Sequence, residues 1–232
     1  MARWLTALAG LCVLVGCGLL DRGPTTTEEV GIVSPANASE ELARHYTERV
    51  LLFHDTYTEP MNGGVAFVGD SITEDGDWAA LFPAQVTRNY GISGDTTVGL
   101  NNRFVQVVAA RPGKAFLLIG TNDLNNDRRP PAEIIANYER LVDRFARELP
   151  QTRLYIQAVL PREAHHAAGV LEINDGLRRI AEARDITYVD LYTPFVVEGG
   201  VLDPAVTNDQ LHLNAAGYAR WRDLIAPLVL SP

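Results

Sequence analysis

Cysteine is nearly absent: the 232-residue chain has two, Cys12 and Cys17. Cys12 falls within an N-terminal stretch that reads as a targeting signal, so a processed chain keeps Cys17 alone. No disulfide is then available within one chain, even in an oxidising compartment. Zinc-type Cys/His spacing, a Walker loop and a dinucleotide-binding glycine fingerprint are all missing, so no motif calls for a metal or another cofactor. Basic residues are short too, 20 Lys and Arg against 29 Asp and Glu, for a formal net charge of -9. A chain of that sign suits neither phosphate backbones nor electrostatic docking on anionic lipid. There is no internal repeat, no sign of a second domain and no apolar run that spans a bilayer comfortably.

The apolar stretch that does exist, Leu5 to Val15, follows Arg3 and has the length of a signal-peptide core. It runs into Leu14-Val15-Gly16-Cys17, which resembles the bacterial lipobox, in which the cysteine is lipidated and becomes the first mature residue. Residues 1–17 are therefore expected to be a lipoprotein signal with Cys17 as the lipidation site. The expected location is the bacterial cell envelope (the outer membrane in a Gram-negative source), or secretion if the cysteine is incidental. Residues 18–37 hold two prolines, three consecutive threonines and few apolar residues, the composition of a flexible tether. Residues 38–232 have the length of one α/β domain.

Within that domain, apolar runs alternate with helical patterns. Val65–Val68, Val86–Tyr90, Ala115–Ile119, Leu154–Leu160 and Ile186–Leu191 read as strands buried on both faces. Helices are expected from Ser39 with Leu42, Tyr46, Val50 and Leu51 on one face, at Trp78–Phe82 and over Val98–Ala110. Three more follow: one introduced by Pro130-Pro131, one over residues 167–184 through Leu171, Leu177 and Ile180, and a last one carrying Tyr218, Trp221, Leu224 and Leu228. Alternation of this kind predicts an α/β/α sandwich, a flavodoxin-like parallel sheet of five strands in the order 2-1-3-4-5.

Three strand ends carry polar punctuation: Gly69-Asp70-Ser71, Ser93-Gly94-Asp95-Thr96-Thr97 and Gly120-Thr121-Asn122-Asp123. A parallel sheet brings all three to one edge. A fourth block, Asp209-x-x-His212, precedes the last helix. These four blocks, in this order, resemble the SGNH (GDSL-type) hydrolase superfamily, over about residues 40 to 230. The fuller strings, from Gly69 to Thr73 and from Asn89 to Thr97, are most similar to the branch of the small platelet-activating-factor acetylhydrolase subunits and bacterial acetylesterases of decorated sugars. The resemblance implies Ser71 as nucleophile, His212 as general base and Asp209 as its orienting carboxylate. It implies an oxyanion hole from the Ser71 and Gly94 N–H groups and the Asn122 amide, with no cofactor or metal.

The residue chemistry agrees. A serine near its free pKa is a poor nucleophile and needs a base, and a spacing of three lets Asp209 and His212 meet. The expected activity is hydrolysis of short acyl, chiefly acetyl, esters of a carbohydrate or small molecule. A lysophospholipase or thioesterase is the alternative of the same fold, and a non-catalytic tethered carbohydrate-binding protein the alternative of another class. Neither a nucleic-acid partner nor any membrane contact beyond the lipid anchor is expected. Gln210 stands where many relatives have glycine, which leaves acyl selectivity open. Pocket walls are expected from loops 124–130, 161–168 and 192–208.

Other polar residues have plainer readings. Ser93 lacks the second spacer of a G-x-S-x-G elbow and reads as a turn residue. His165 and His166 read as solvated or substrate-rim groups, and His45 and His54 as structural or surface groups. Asp70 and Asp123 are expected to brace loops. Glu74, Asp75 and Asp77 read as a solvated helix start instead of a metal cluster.

Overall fold

The computed structural model describes residues 39–57 and 59–232. The expected signal, lipidation site Cys17 and tether lie outside the described residues. Five parallel strands form the central sheet: β1 (Gly63–Gly69), β2 (Thr87–Gly91), β3 (Pro112–Leu118), β4 (Arg153–Gln157) and β5 (Thr187–Val189), in the order β2-β1-β3-β4-β5. The expected topology is the one observed. β1 lies between its two partners, Val65 opposite Thr87 on one side and Lys114 on the other, so its C-terminal tip falls mid-edge. A short antiparallel pair, β6 (Val196–Val197) and β7 (Val201–Leu202), stands apart.

Strand alternation feeds two cores. Ala66, Val68, Ala115, Leu117 and Ile156 face five helices: α1 (Glu40–Thr56), α4 (Thr97–Asn102), α5 (Phe104–Ala110), α7 (Pro131–Glu148) and α8 (Ala167–Ala183). Val65, Phe67, Phe116, Leu118 and Tyr155 face α2 (Ser71–Glu74), α3 (Trp78–Leu81) and α9 (Ala215–Val229). On this second face aromatic rings knit the layers together. Phe67 stacks on Trp78 at 3.8 Å between centroids, and Trp78 meets Trp221 edge-on at 4.8 Å. The indoles are satisfied as well: Trp78 Nε1 donates to the Thr73 carbonyl and Trp221 Nε1 to Gln157. The Trp78 contact fastens α2, the turn that carries Ser71, onto the second core.

Several helices differ in detail from the sequence reading. The expected helix over Val98–Ala110 is two helices, α4 and α5, broken at Arg103, whose side chain turns inward. In α8 the buried stripe runs through Val170, Ile173, Leu177 and Ile180, whereas Leu171 is 47% exposed. In α9 it runs through Trp221, Ile225 and Val229, with Leu224 on the surface. Strands β4 and β5 end before the apolar runs do, since the last paired residues are Gln157 and Val189 and the Ala158 N–H bond to the Val189 carbonyl closes the ladder.

Candidate active site

The site is built where β1 stops. Gly69 is the last strand residue, and a β-carbon there would lie 2.2 Å from the Leu118 carbonyl oxygen and from Thr73 Oγ1. Only glycine fits so close an approach. Asp70 then caps α2, its Oδ1 accepting the Ile72 N–H at 3.1 Å. Ser71 becomes the first helical residue, where a backbone N–H has no acceptor within the helix. The Tyr218 hydroxyl of α9 donates to the Ile72 carbonyl at 2.8 Å and holds this turn from the opposite side.

Ser71 Oγ lies 3.0 Å from His212 Nε2, and His212 Nδ1 lies 2.7 Å from Asp209 Oδ2. The other carboxylate oxygen of Asp209 accepts the backbone N–H groups of His212 and Leu211 at 2.7 and 3.0 Å. Partial burial works to raise the Asp209 pKa, but these bonds, the His212 ring first among them, outweigh it and hold the carboxyl at about 2. Asp209 is thus an anion near neutral pH, an acceptor only, which favours the proton on Nδ1 and leaves Nε2 facing Ser71 as an acceptor. Gln210, between them, is exposed at φ 64°, left-handed backbone that glycine adopts with less strain.

The remaining expected residues converge on the same edge. Gly94 follows β2 at φ 76° in a turn closed by the Asp95 N–H donating to the Ile92 carbonyl at 3.0 Å. Asn122 is buried in α6 (Thr121–Asn125), and its Nδ2 donates to the Asp95 carbonyl at 2.9 Å. That bond settles which end of the amide carries the hydrogens and leaves the second N–H for another acceptor.

Behind the edge lie three fully buried carboxyls. Asp95 pairs with Arg103, Nε to Oδ2 at 2.7 Å, and Arg103 Nη2 also donates to the Gly69 and Tyr90 carbonyls at the ends of β1 and β2. Asp123 accepts the Thr97 N–H and hydroxyl, yet burial pushes it up to about 6. Asp70 is pushed up to about 8 by burial, with the charges of Asp95 and Asp123 adding to the shift. Asp70 and Asp123 brace loops, as expected.

Ser93 is a turn residue far from His212 in role: its hydroxyl and N–H both donate to Glu74. Of the acidic cluster, Asp77 caps α3 and Asp75 is exposed, but Glu74 is not solvated. It is bonded to Ser93, His45 and Arg49, and the expectation of a solvated helix start is corrected there. Among the described residues no group of His, Cys, Asp and Glu side chains is arranged to hold a metal ion. His166 reaches Asn125, at the end of α6, at 3.2 Å, and His54 pairs with its neighbour Asp55. A cleft of about 620 Å³ lies at the opposite edge of the sheet, lined by Leu149, Arg153, Asp185 and Ile186, and holds none of these groups. Sequence reasoning passed over Arg103, and it read Tyr218 only as part of a helix face and Glu74 only as part of a solvated helix start. Arg103 alone gave a signal, as a charge set in an otherwise apolar helical face.

A hydroxyl, an imidazole and a carboxylate joined in one line, at the tips of a sheet ordered β2-β1-β3-β4-β5, define the class: an SGNH-type serine hydrolase. The chain belongs to the GDSL-like lipase/acylhydrolase family, whose pattern matches residues 67–220, and it is a serine ester hydrolase. It is similar to platelet-activating factor acetylhydrolase IB subunit alpha2 of Homo sapiens, 26% identical over 166 residues that cover 67% of this chain and 71% of that relative. A GDSL-like lipase from Bacteroides thetaiotaomicron superposes with a TM-score of 0.66 at 24% identity, over 81% of this chain and 96% of the other. An acetylxylan esterase from Geobacillus stearothermophilus does so with a TM-score of 0.61 at 19% identity, over 75% and 96%. Both structures share the fold.

Proposed function

We propose that this hydrolase removes short acyl groups, chiefly acetyl, from the hydroxyls of a carbohydrate or small molecule, through an acyl ester on Ser71. The observation that carries the reading is the Ser71–His212–Asp209 line, 3.0 and 2.7 Å, beside the Gly94 and Asn122 donors. Ser71 Oγ attacks the carbonyl carbon while His212 Nε2 takes its proton. The carbonyl electron pair moves onto oxygen and is received by the Ser71 and Gly94 N–H groups and the free Asn122 N–H. Collapse expels the alcohol, which takes the proton from His212. Water then repeats the sequence on the acyl-enzyme, with His212 as base, and releases the acid. The acetyl preference is supported by the acetylhydrolase and acetylxylan esterase names of its relatives. The complete constellation argues against a binding protein without turnover.

A fluorophosphonate should label Ser71 and not Ser93, and Ser71→Ala should lose nearly all turnover. Asn122→Ala removes one of three donors and should lower kcat by about 10²- to 10³-fold while KM moves little. A label on Ser93, or a KM effect alone in Asn122→Ala, sinks these assignments. p-Nitrophenyl esters from acetate to palmitate, with acetylated sugars, decide the acyl length. Activity peaking on long chains would favour the lysophospholipase or thioesterase reading.

For location, we propose a lipid anchor on Cys17 at the bacterial cell envelope, supported by the Leu14–Cys17 pattern. No helix among the described residues is long and apolar enough to cross a membrane. Cys17→Ser should abolish incorporation of a tagged fatty acid and release the protein from the membrane fraction. Unlabelled wild-type protein would overturn the anchor.

A further inference from the structure

Glu74 closes α2, one helical turn beyond Ser71, and its side chain is 13% exposed. One carboxylate oxygen accepts both the N–H of Ser93, at 2.5 Å, and the Ser93 hydroxyl, at 2.8 Å. His45 Nε2 lies 3.0 and 3.1 Å from the two oxygens, and Arg49 Nε forms an ion pair with the carboxylate at 2.9 Å. Arg49 also donates to the Gly91 carbonyl at 2.9 Å, at the end of β2. Leu42, one turn earlier on α1, occupies the space beside Gly94, where a β-carbon would come within 2.6 Å of its Cδ2. Three segments therefore meet at one carboxylate: the turn that bears Ser71, the loop that bears Gly94, and α1.

We infer that Glu74 is a positioning residue, which aims the Gly94 N–H at the oxyanion by clamping Ser93 to the helix of the nucleophile. The inference rests on the proposed roles of Ser71 and Gly94. Gly94 has no side chain, so its N–H points wherever the Ser93–Gly94 peptide is held. With the N–H and hydroxyl of Ser93 both bonded to Glu74, the Ser93 Cα at one end of that peptide is tied to α2, which limits how the peptide can turn. The donor keeps its place relative to Ser71 without reorganising as charge develops. A carboxylate near an oxyanion is in itself unfavourable, and the ion pair with Arg49 offsets that charge. An interaction of this kind acts on the transition state and leaves substrate binding nearly untouched, so its loss falls on kcat.

The test uses kcat and KM on p-nitrophenyl acetate, with melting temperature and fluorophosphonate labelling measured alongside. Glu74→Ala should lower kcat by about 10- to 100-fold with KM within about twofold, since one donor of three is loosened, not removed. Glu74→Asp keeps the charge and the fold but lacks the reach, and should lose kcat in the same way. Glu74→Gln, isosteric and still an acceptor for Ser93, should recover most of the rate. Ser93→Ala keeps the backbone bond and should cost less than Glu74→Ala. Wild-type kcat in both Glu74→Ala and Glu74→Asp overturns the clamp, as does a loss carried by KM or one that Glu74→Gln does not relieve. If wild-type Ser71 resists the label, the underlying site assignment fails. If Ser71 is labelled and the Glu74 variants turn over normally, only the clamp fails.

Discussion

Asp70 and Asp209 both neighbour the reacting groups in sequence, yet their surroundings pull their proton affinities in opposite directions. Asp209 is held at about 2, below its ordinary 3.8. It therefore adds stability above about pH 4, and that contribution is lost as pH falls through about 2. Asp70 stands at about 8, above its ordinary 3.8, because burial disfavours the charged form. The native state then keeps a proton that the unfolded chain releases, so the Asp70 contribution declines as pH rises from about 4 to 8. Asp70→Asn preserves an acceptor for the Ile72 N–H and removes the ionisation. Its melting temperature relative to wild type should be more favourable at pH 9 than at pH 5, with Asp123 as common background. Equal differences at the two pH values would show that Asp70 is not held protonated. At this scale the convergence of the five proposed site residues was legible because each sits in a short block whose chemistry and position in the chain agree. Glu74 was not. Its spacing from Asp75 and Asp77 suggests a solvated cluster, and only the return of β2 alongside β1 brings Ser93 to it.

The helical elements show how far periodicity reads. α7 was legible because Pro131 starts it and Ile134, Tyr138, Leu141, Val142 and Phe145 share one buried face. The α4–α5 break was not, since Arg103 interrupts an apolar pattern for a reason outside the helix. Strand-end carbonyls at Gly69 and Tyr90 need donors, and the buried Asp95 needs a cation. Leu171 and Leu224 misled because an isolated surface leucine is ordinary and carries no periodic mark. Arg103→Met should destabilise the fold by about 3–5 kcal/mol, as it leaves a buried charge unpaired. Asp95→Asn combined with Arg103→Met should cost less than Arg103→Met alone. Urea unfolding of these two variants and of Asp95→Asn alone checks this, and an additive double variant would show that the pair does not act as a unit.

Across the whole molecule, the sheet order was legible from strand alternation and connection handedness. The packing of each face was not, because buried strands are apolar on both sides. One feature of that packing bears on heat inactivation. Ser71, Gly94 and Asn122 stand beyond the tips of three adjacent strands, β1, β2 and β3, whereas Asp209 and His212 belong to a stretch with no place in the sheet. A bridge between Thr207 and Leu213, the Thr207 hydroxyl bonded to the His212 carbonyl, the Asn214 N–H bonded to the Val206 carbonyl, and the packing of Leu213 and α9 hold it. That stretch should therefore fray at lower free energy than the strands. On warming, the protein should lose its base while the serine and its donors remain assembled. Turnover should thus fade several degrees before circular dichroism changes and return on cooling. Amide hydrogens over residues 207–213 should exchange well ahead of those in β1 and β3. Activity and ellipticity lost together would mean that the base is as firmly fixed as the sheet. If they part, the proposed base of this hydrolase sits on the part of the fold that heat detaches first.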